Sequence, residues 1–227
     1  MHLHRILFCA CLCAGLAQAH AADVPQMKLP PVDEAAGDRS WIDFKNRLLN
    51  ALEKRDRKFV LSVIDRNVRN SPDTPRGVAE FRKQWGFDAD DTPLWRELLS
   101  ALFLGGAYVK RDKGPTEFCA PYVMPKWPDN VDPHDHGAII TRDVLVKAAP
   151  SSGSGTLQTL TYDIVAVTDW EVADQASDVG QRWVKIRIGA GEGYVPEEQI
   201  RSPIEHTACF AKTADGWRMT ALGAGGI

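Results

Sequence analysis

Residues 181–200, QRWVKIRIGAGEGYVPEEQI, decide how the second half of this chain reads. Trp183 to Ile188 form a short aromatic and β-branched run, and Gly193-Tyr194-Val195 form another. Runs of this kind separated by glycine predict strands over 183–188 and 193–195 with a hairpin between them. A phosphate-binding loop would need a lysine and a helix directly after the glycines, and Gly189 to Gly193 has neither. The terminal Gly223-Ala224-Gly225-Gly226 has no helix after it either.

Working outward, residues 138–141, 144–147, 156–160 and 164–168 repeat the pattern: short, β-branched and spaced by Gly, Ser and Asp. That spacing predicts a small antiparallel barrel or sandwich. Toward the C-terminus, 207–212 and 217–222 flank Asp215-Gly216, the signature of a tight hairpin. Toward the N-terminus, 108–110 and 117–123 are short strand candidates. Residues 124–133 carry Pro125, Pro128, Pro133 and Trp127 and read as a loop.

Before residue 107 the period changes from two to 3.6. Trp41, Phe44, Leu48 and Leu52 fall on one helical face, with Ser40 as the expected cap and Asp43 completing a capping box. Phe59, Val60, Val63 and Ile64 continue the pattern after a break near Asp56, and Val78, Phe81 and Trp85 predict a short third helix. Residues 70–75 form a turn cluster between them. Thr92-Pro93 then opens a helix whose Trp95, Leu98, Leu99, Leu102 and Phe103 share a face, and Gly105-Gly106 end it. Trp41, Trp85 and Trp95, at helical spacing, are expected in the core.

Residues 1–21 show the three-part pattern of a secretory signal: Arg5, an apolar run from Ile6 to Leu16, then small residues ending at Ala19 or Ala21. The run is too short to span a bilayer, and Cys9, Cys11 and Cys13 sit inside it, too early for a lipid-anchor motif. A periplasmic or secreted location is expected, with no transmembrane segment in the mature chain. Residues 22–39, with Pro25, Pro30 and Pro31, read as a linker. The whole chain has 227 residues, 44% hydrophobic and 25% charged, long enough for one large or two small domains. Its net charge of −3 lacks the clustered Lys and Arg that phosphate neutralisation needs, so no nucleic-acid partner is expected.

Several of these stretches, in order, resemble the bacterial SH3-like (SH3b) domain across about residues 138–203. Val144-Leu145-Val146-Lys147-Ala148-Ala149-Pro150-Ser151 is similar to the family's L-N-V-R-x-x-P-S opening strand. Thr156 to Leu160 and Asp163 to Val167 are similar to the next two apolar steps. Gln181 to Arg187 resembles the G-W-x-K-V-R strand, Gly191 to Val195 the G-x-x-G-[WY]-V strand, and Ile200 the closing apolar residue. The chain departs from the pattern at Lys147, at Gln181 and in a long acidic loop from Glu171 to Gly180, which holds Asp174 and Asp178. The resemblance implies a small antiparallel SH3-like β-barrel (137–203); with the helical periodicity before it and the hairpin signal after it, the expected chain is α+β: a helical N-terminal subdomain with short strands (40–136), the barrel, and a C-terminal β-hairpin (204–227). The resemblance also implies a non-catalytic binding protein that recognises peptidoglycan peptides or an envelope protein.

With the signal removed, Cys119 and Cys209 are the remaining cysteines. In an oxidising compartment they read most simply as one disulfide. The close ends of an SH3-like barrel would let them meet, with the final hairpin folding back on the segment around Cys119. The aromatic residues Tyr162, Trp170, Trp183 and Tyr194 are the candidate ligand-binding set, because aromatic faces hold extended peptides, although strand positions such as Trp183 also suit core packing. His134-Asp135-His136 lies near Asp129 and Asp132, but zinc needs three or four protein ligands, so no metal and no cofactor is expected. Two other readings remain. One is an inhibitor or immunity-type protein of an envelope enzyme, with its interface on the helical half. The other is a cell-wall hydrolase using Cys119 with His134 or His136, which would require a free thiolate.

Overall fold

The computed structural model describes residues 27–112, 114–176, 180–189 and 191–226. The expected signal segment, residues 22–26 of the expected linker, and Asp178 of the acidic loop lie outside the described residues.

Helix α1 (Arg39–Glu53) buries Trp41, Phe44, Leu48, Ala51 and Leu52, the face the spacing predicts. Its N-cap is Asp38 rather than Ser40, because one carboxylate oxygen accepts the backbone N–H groups of both Ser40 and Trp41 at 2.8 and 3.3 Å. Ser40 instead links two elements, donating its hydroxyl to Asp38 and accepting the Trp217 indole N–H at 3.0 Å. Hydrogen bonding to Ser40, aided by Lys212, brings the Asp38 carboxyl down to about 2. Helix α2 (Arg57–Val63) starts at Asp56, followed by α3 (Val78–Gln84) and α4 (Leu94–Phe103). Along α4, Leu94, Trp95, Leu98, Ala101 and Leu102 point inward, whereas Phe103, which the spacing puts on the same face, is 68% exposed.

The strands, in chain order, begin with β1 (Ile64–Arg69), β2 (Ala107–Val109), β3 (Glu117–Ala120), β4 (His136–Ile139), β5 (Val144–Lys147) and β6 (Thr156–Leu160). They continue with β7 (Ile164–Ala173), β8 (Arg182–Ile188), β9 (Gly191–Pro196), β10 (Ile200–Arg201), β11 (Thr207–Thr213) and β12 (Gly216–Gly223). A five-stranded sheet runs β1-β12-β11-β3-β2 and a seven-stranded sheet runs β10-β4-β7-β8-β9-β5-β6. Every pairing is antiparallel except β1 with β12. The chain is therefore α+β, with a helical N-terminal portion followed by strands.

Two expectations about organisation change. The C-terminal hairpin β11–β12 is the middle of the first sheet, between β1 and β3, with the helices packed on it. The Trp41 ring sits within 5.7 Å of the rings of Phe44, Phe118, Phe210 and Trp217, tying α1 to β3, β11 and β12. In addition, the described part of the expected linker is a strap. Leu29 is buried and donates its N–H to the Tyr162 carbonyl at 2.7 Å, and Lys28 pairs with the buried Asp163 at 2.8 Å. Pro30 and Pro31 disfavour regular structure, yet they leave the chain extended enough to bury a leucine across the junction of the two sheets.

The second sheet encloses a core of its own, including Val144, Val146, Val165, Val184, Ile186 and Val195. It does not close into a barrel. Strand β7 pairs with β4 over its first residues and with β8 over its later ones, with register shifts between, while β6 and β10 stand at the two ends. Strand β10 is only two residues long and its ladder goes to β4. Gly193 permits the tight contact of β9 with β5, since a Cβ there would stand 2.4 Å from Val146 Cγ1 and 3.3 Å from the Lys147 carbonyl. Gly193→Ala should therefore lower unfolding free energy by about 1–3 kcal/mol in urea titrations. Gly191→Ala, whose nearest new contact would be an ordinary 3.9 Å, should leave it unchanged.

Candidate functional site

Between the end of α4 and the second sheet lies a cleft of about 710 Å³. Its apolar lining comes from Phe103, Leu104, Ile140, Trp170, Ile200 and Ile204. Local sequence explains why these residues meet. Gly105, at φ +70°, stops α4 just past Phe103 and Leu104, a conformation glycine adopts without steric cost. Gly137 on β4 makes room for the Trp170 ring and Ile200, because a Cβ there would stand 2.8 Å from Trp170 Cη2 and 2.9 Å from Ile200 Cδ1. A 3-10 turn over Glu197–Gln199 then feeds β10 and the 202–206 segment along the cleft.

The rim is charged. Glu171, Glu197, Glu198 and Glu205 line it, together with Arg201 and His206. Arg182 lies 3.6 Å from both Glu171 and Glu197, and Gln181 donates to Glu198 at 2.8 Å. Arg201 is held from several sides: its guanidinium donates to the His206 carbonyl at 2.7 Å and Ser100 Oγ at 3.4 Å, and lies 3.3 Å from Glu205. Its buried Nε has no acceptor among the described residues. His206 Nδ1 lies 3.1 Å from Glu97 Oε2, with its ring 5.0 Å from that of Trp85. Burial pushes the Glu205 carboxyl up, and the nearby Glu97 and Glu197 carboxylates add to the effect against Arg201 and the Ser202 N–H.

Of the four aromatic residues expected to bind ligand, only Trp170 reaches the cleft. Trp183 is 1% exposed and spends its indole N–H on Asp174 at 2.9 Å, so it anchors the base of the acidic loop and offers no ring face. Tyr162 sits at a turn with φ +58°, its ring 5.8 Å below the Arg142 guanidinium, whose Nε donates to the phenol oxygen at 3.3 Å. Tyr194 is half-buried on β9, in register with Lys185 and Lys147. The four do not form one surface.

Cys119 and Cys209 are register partners on β3 and β11, fully buried and joined by a disulfide across a sequence separation of 90. Among the described residues, the cluster with metal-ligand spacing is Glu117, Cys119 and Cys209, and its two sulfurs are bonded to each other. His134 lies on the loop before β4, where Asp132 accepts its N–H at 2.9 Å, and His136 opens β4 with its ring in contact with Asp135.

Sequence reading passed over Phe103, Ile204, Arg201, Glu205 and His206. The signal that could have found them is the acidic pair Glu197-Glu198 two residues before an apolar Ile200, which puts charge and apolar surface at one strand entry. No helix among the described residues is long and apolar enough to cross a membrane. No family model, no curated protein and no solved structure matches the chain.

Proposed function

We propose that this chain is an exported, non-catalytic binding protein that holds an extended peptide of the cell wall or of an envelope protein, using an SH3b-like second lobe together with helix α4. The observation that carries this reading is the cleft: apolar along its floor, open beside an exposed phenylalanine, and charged at its rim. Its lining offers no serine, cysteine or threonine paired with a base in the manner of a nucleophilic enzyme; Ser100 receives a bond from Arg201. The bridged, buried Cys119 counts against the hydrolase alternative, which requires a free thiolate. A strand meander of β7–β9 followed by a 3-10 turn and a short last strand supports the SH3b likeness.

The test compares wild type with Phe103→Ala and Trp170→Ala. Phe103 is exposed, so its truncation should change stability by less than about 0.5 kcal/mol. Both variants should weaken saturable co-sedimentation with peptidoglycan sacculi, or capture of an envelope protein, by about tenfold. Binding unchanged in both variants would remove the cleft as the site.

One observation favours the inhibitor reading as second choice. Phe103 also borders a shallow surface formed by Leu49, Leu99, Asn46 and Asn50 on the helical side. An envelope enzyme docked there would be sensitive to Leu49→Asp and Leu99→Asp but not to Trp170→Ala.

A further inference from the structure

Resting on the peptide-cleft reading, we infer that the occupant is a segment of a partner protein that places a lysine or arginine beside an apolar side chain. The floor supplies the apolar half of the match. Trp170 and Ile200 form a surface that water solvates poorly, and Phe103 stands exposed at its lip.

The rim supplies the charged half. Four carboxylates, from Glu171, Glu197, Glu198 and Glu205, face the same opening, and the nearby cations are already engaged. Arg182 is shared by Glu171 and Glu197 at 3.6 Å to each, more than half exposed and so screened by solvent. Arg201 is buried and turned to the His206 carbonyl, while His206 meets Glu97. The four rim carboxylates outnumber Arg182 and Arg201, so the excess is negative; the Glu205 carboxyl, raised first by its burial, is pushed the same way by Glu97 and Glu197. A cationic side chain arriving at this rim relieves that repulsion while its aliphatic stem covers the apolar floor, which is how long basic side chains bind amphipathic surfaces.

A protein segment is favoured over a wall peptide by the lining. Trp170, Ile200, Ile204 and Phe103 provide more apolar surface than small, polar stem peptides would cover. A wall origin is kept as an outcome of the test.

The experiment uses the disulfide-intact mature chain and three fluorescein-labelled nonapeptide pools. Each pool has randomised apolar residues around a central lysine, norleucine or glutamate, and binding is read by anisotropy. The lysine pool should bind about tenfold tighter than the norleucine pool and more than that over the glutamate pool. The lysine advantage should disappear in the Glu197→Gln/Glu198→Gln double variant and shrink in high salt, while norleucine binding stays as in wild type. Equal binding of lysine and norleucine pools, or preference for glutamate, overturns the cation assignment and leaves the cleft reading standing. No binding of any pool at about 1 mM overturns both. Displacement of the lysine pool by amine-bearing soluble muropeptides at lower concentration than by the unlabelled pool overturns the assignment to a protein segment.

Discussion

Replacing Glu117 with alanine is expected to lower the unfolding free energy by about 3–5 kcal/mol, because it removes the central charge of a buried ionic knot. Glu117 on β3 is 2% exposed. Arg69 at the end of β1 grips it with two parallel bonds of 3.0 and 2.7 Å, and Arg111, just beyond β2, adds a third at 2.7 Å. A carboxylate in that position closes the first sheet from both sides, since β1 and β2 are its opposite edges. Without it, two guanidiniums at least 70% shielded from water lose the carboxylate they share. Glu117→Gln keeps the shape and one acceptor, and should cost less than alanine. The ordering Ala worse than Gln separates lost charge from lost packing in urea titrations at neutral pH, and equal small losses would show that the knot contributes little.

The same residue makes an acid prediction. Burial alone would raise the Glu117 carboxyl, but the bonds from Arg69 and Arg111 outweigh it and hold the group below its ordinary 4.5. A carboxyl lowered in the folded state stabilises fully above its unfolded value, and that contribution disappears as pH falls through the folded one. From about pH 4.5 downward the wild type should therefore lose stability more steeply than Glu117→Gln. Parallel curves for the two proteins would contradict this.

Elements whose information is local were legible in the sequence. Trp41, Phe44, Leu48 and Leu52 lie in one helical stripe; β5 and β6 have the bounds their alternation gives; and a tight turn joins the last two expected strands, at Ala214-Asp215 with Gly216 opening β12, one residue earlier than Asp215-Gly216. What escaped was set by distant partners. Ile64 was the natural end of an amphipathic helix, yet it opens β1, whose parallel partner β12 lies some 150 residues later, a pairing no local period encodes. Leu102 and Phe103 are neighbours about 100° apart on a helix, so apolar periodicity gives both to the core. Only the second sheet standing beside α4 decides that Leu102 goes in and Phe103 stays at the cleft. The cleft itself gathers α4, β7, the 3-10 turn and the 202–206 segment, each of ordinary composition. Trp170 was reachable because an aromatic residue in a small strand-rich unit is worth noticing as a candidate ligand contact. Its companions were not, because their meaning arises from the meeting of two sheets.

The second large effect belongs to the disulfide. Cys119 and Cys209 bracket β4 through β10, so the bridge encloses the entire second sheet within a loop 90 residues long. Unfolding the bridged chain leaves that loop closed, which restricts the denatured ensemble. The chain-entropy account puts the upper limit near 4.5 kcal/mol for such a loop, and about 2–4 kcal/mol is expected in practice. Cys119→Ala/Cys209→Ala should show that loss with a steeper dependence on urea, because its denatured state expands further and exposes more surface. The bond joins β3 to β11, whose ladder also pairs Phe118 with Phe210 and Ala120 with Ala208, so the native sheet retains other contacts and the variant should fold. Intact mass under alkylation supplies the chemical control. Neither sulfur should react in the native or the urea-unfolded protein, and both should react after reduction. Alkylation of Cys119 in the unreduced native chain would contradict the bridge and return the thiolate to the list of candidate nucleophiles. If instead both sulfurs stay protected while the double variant binds the same partner with unchanged affinity, the bridge acts on stability alone, as expected for a pair buried among Val109, Met124 and Ala221 in the first sheet, outside the residues that line the cleft.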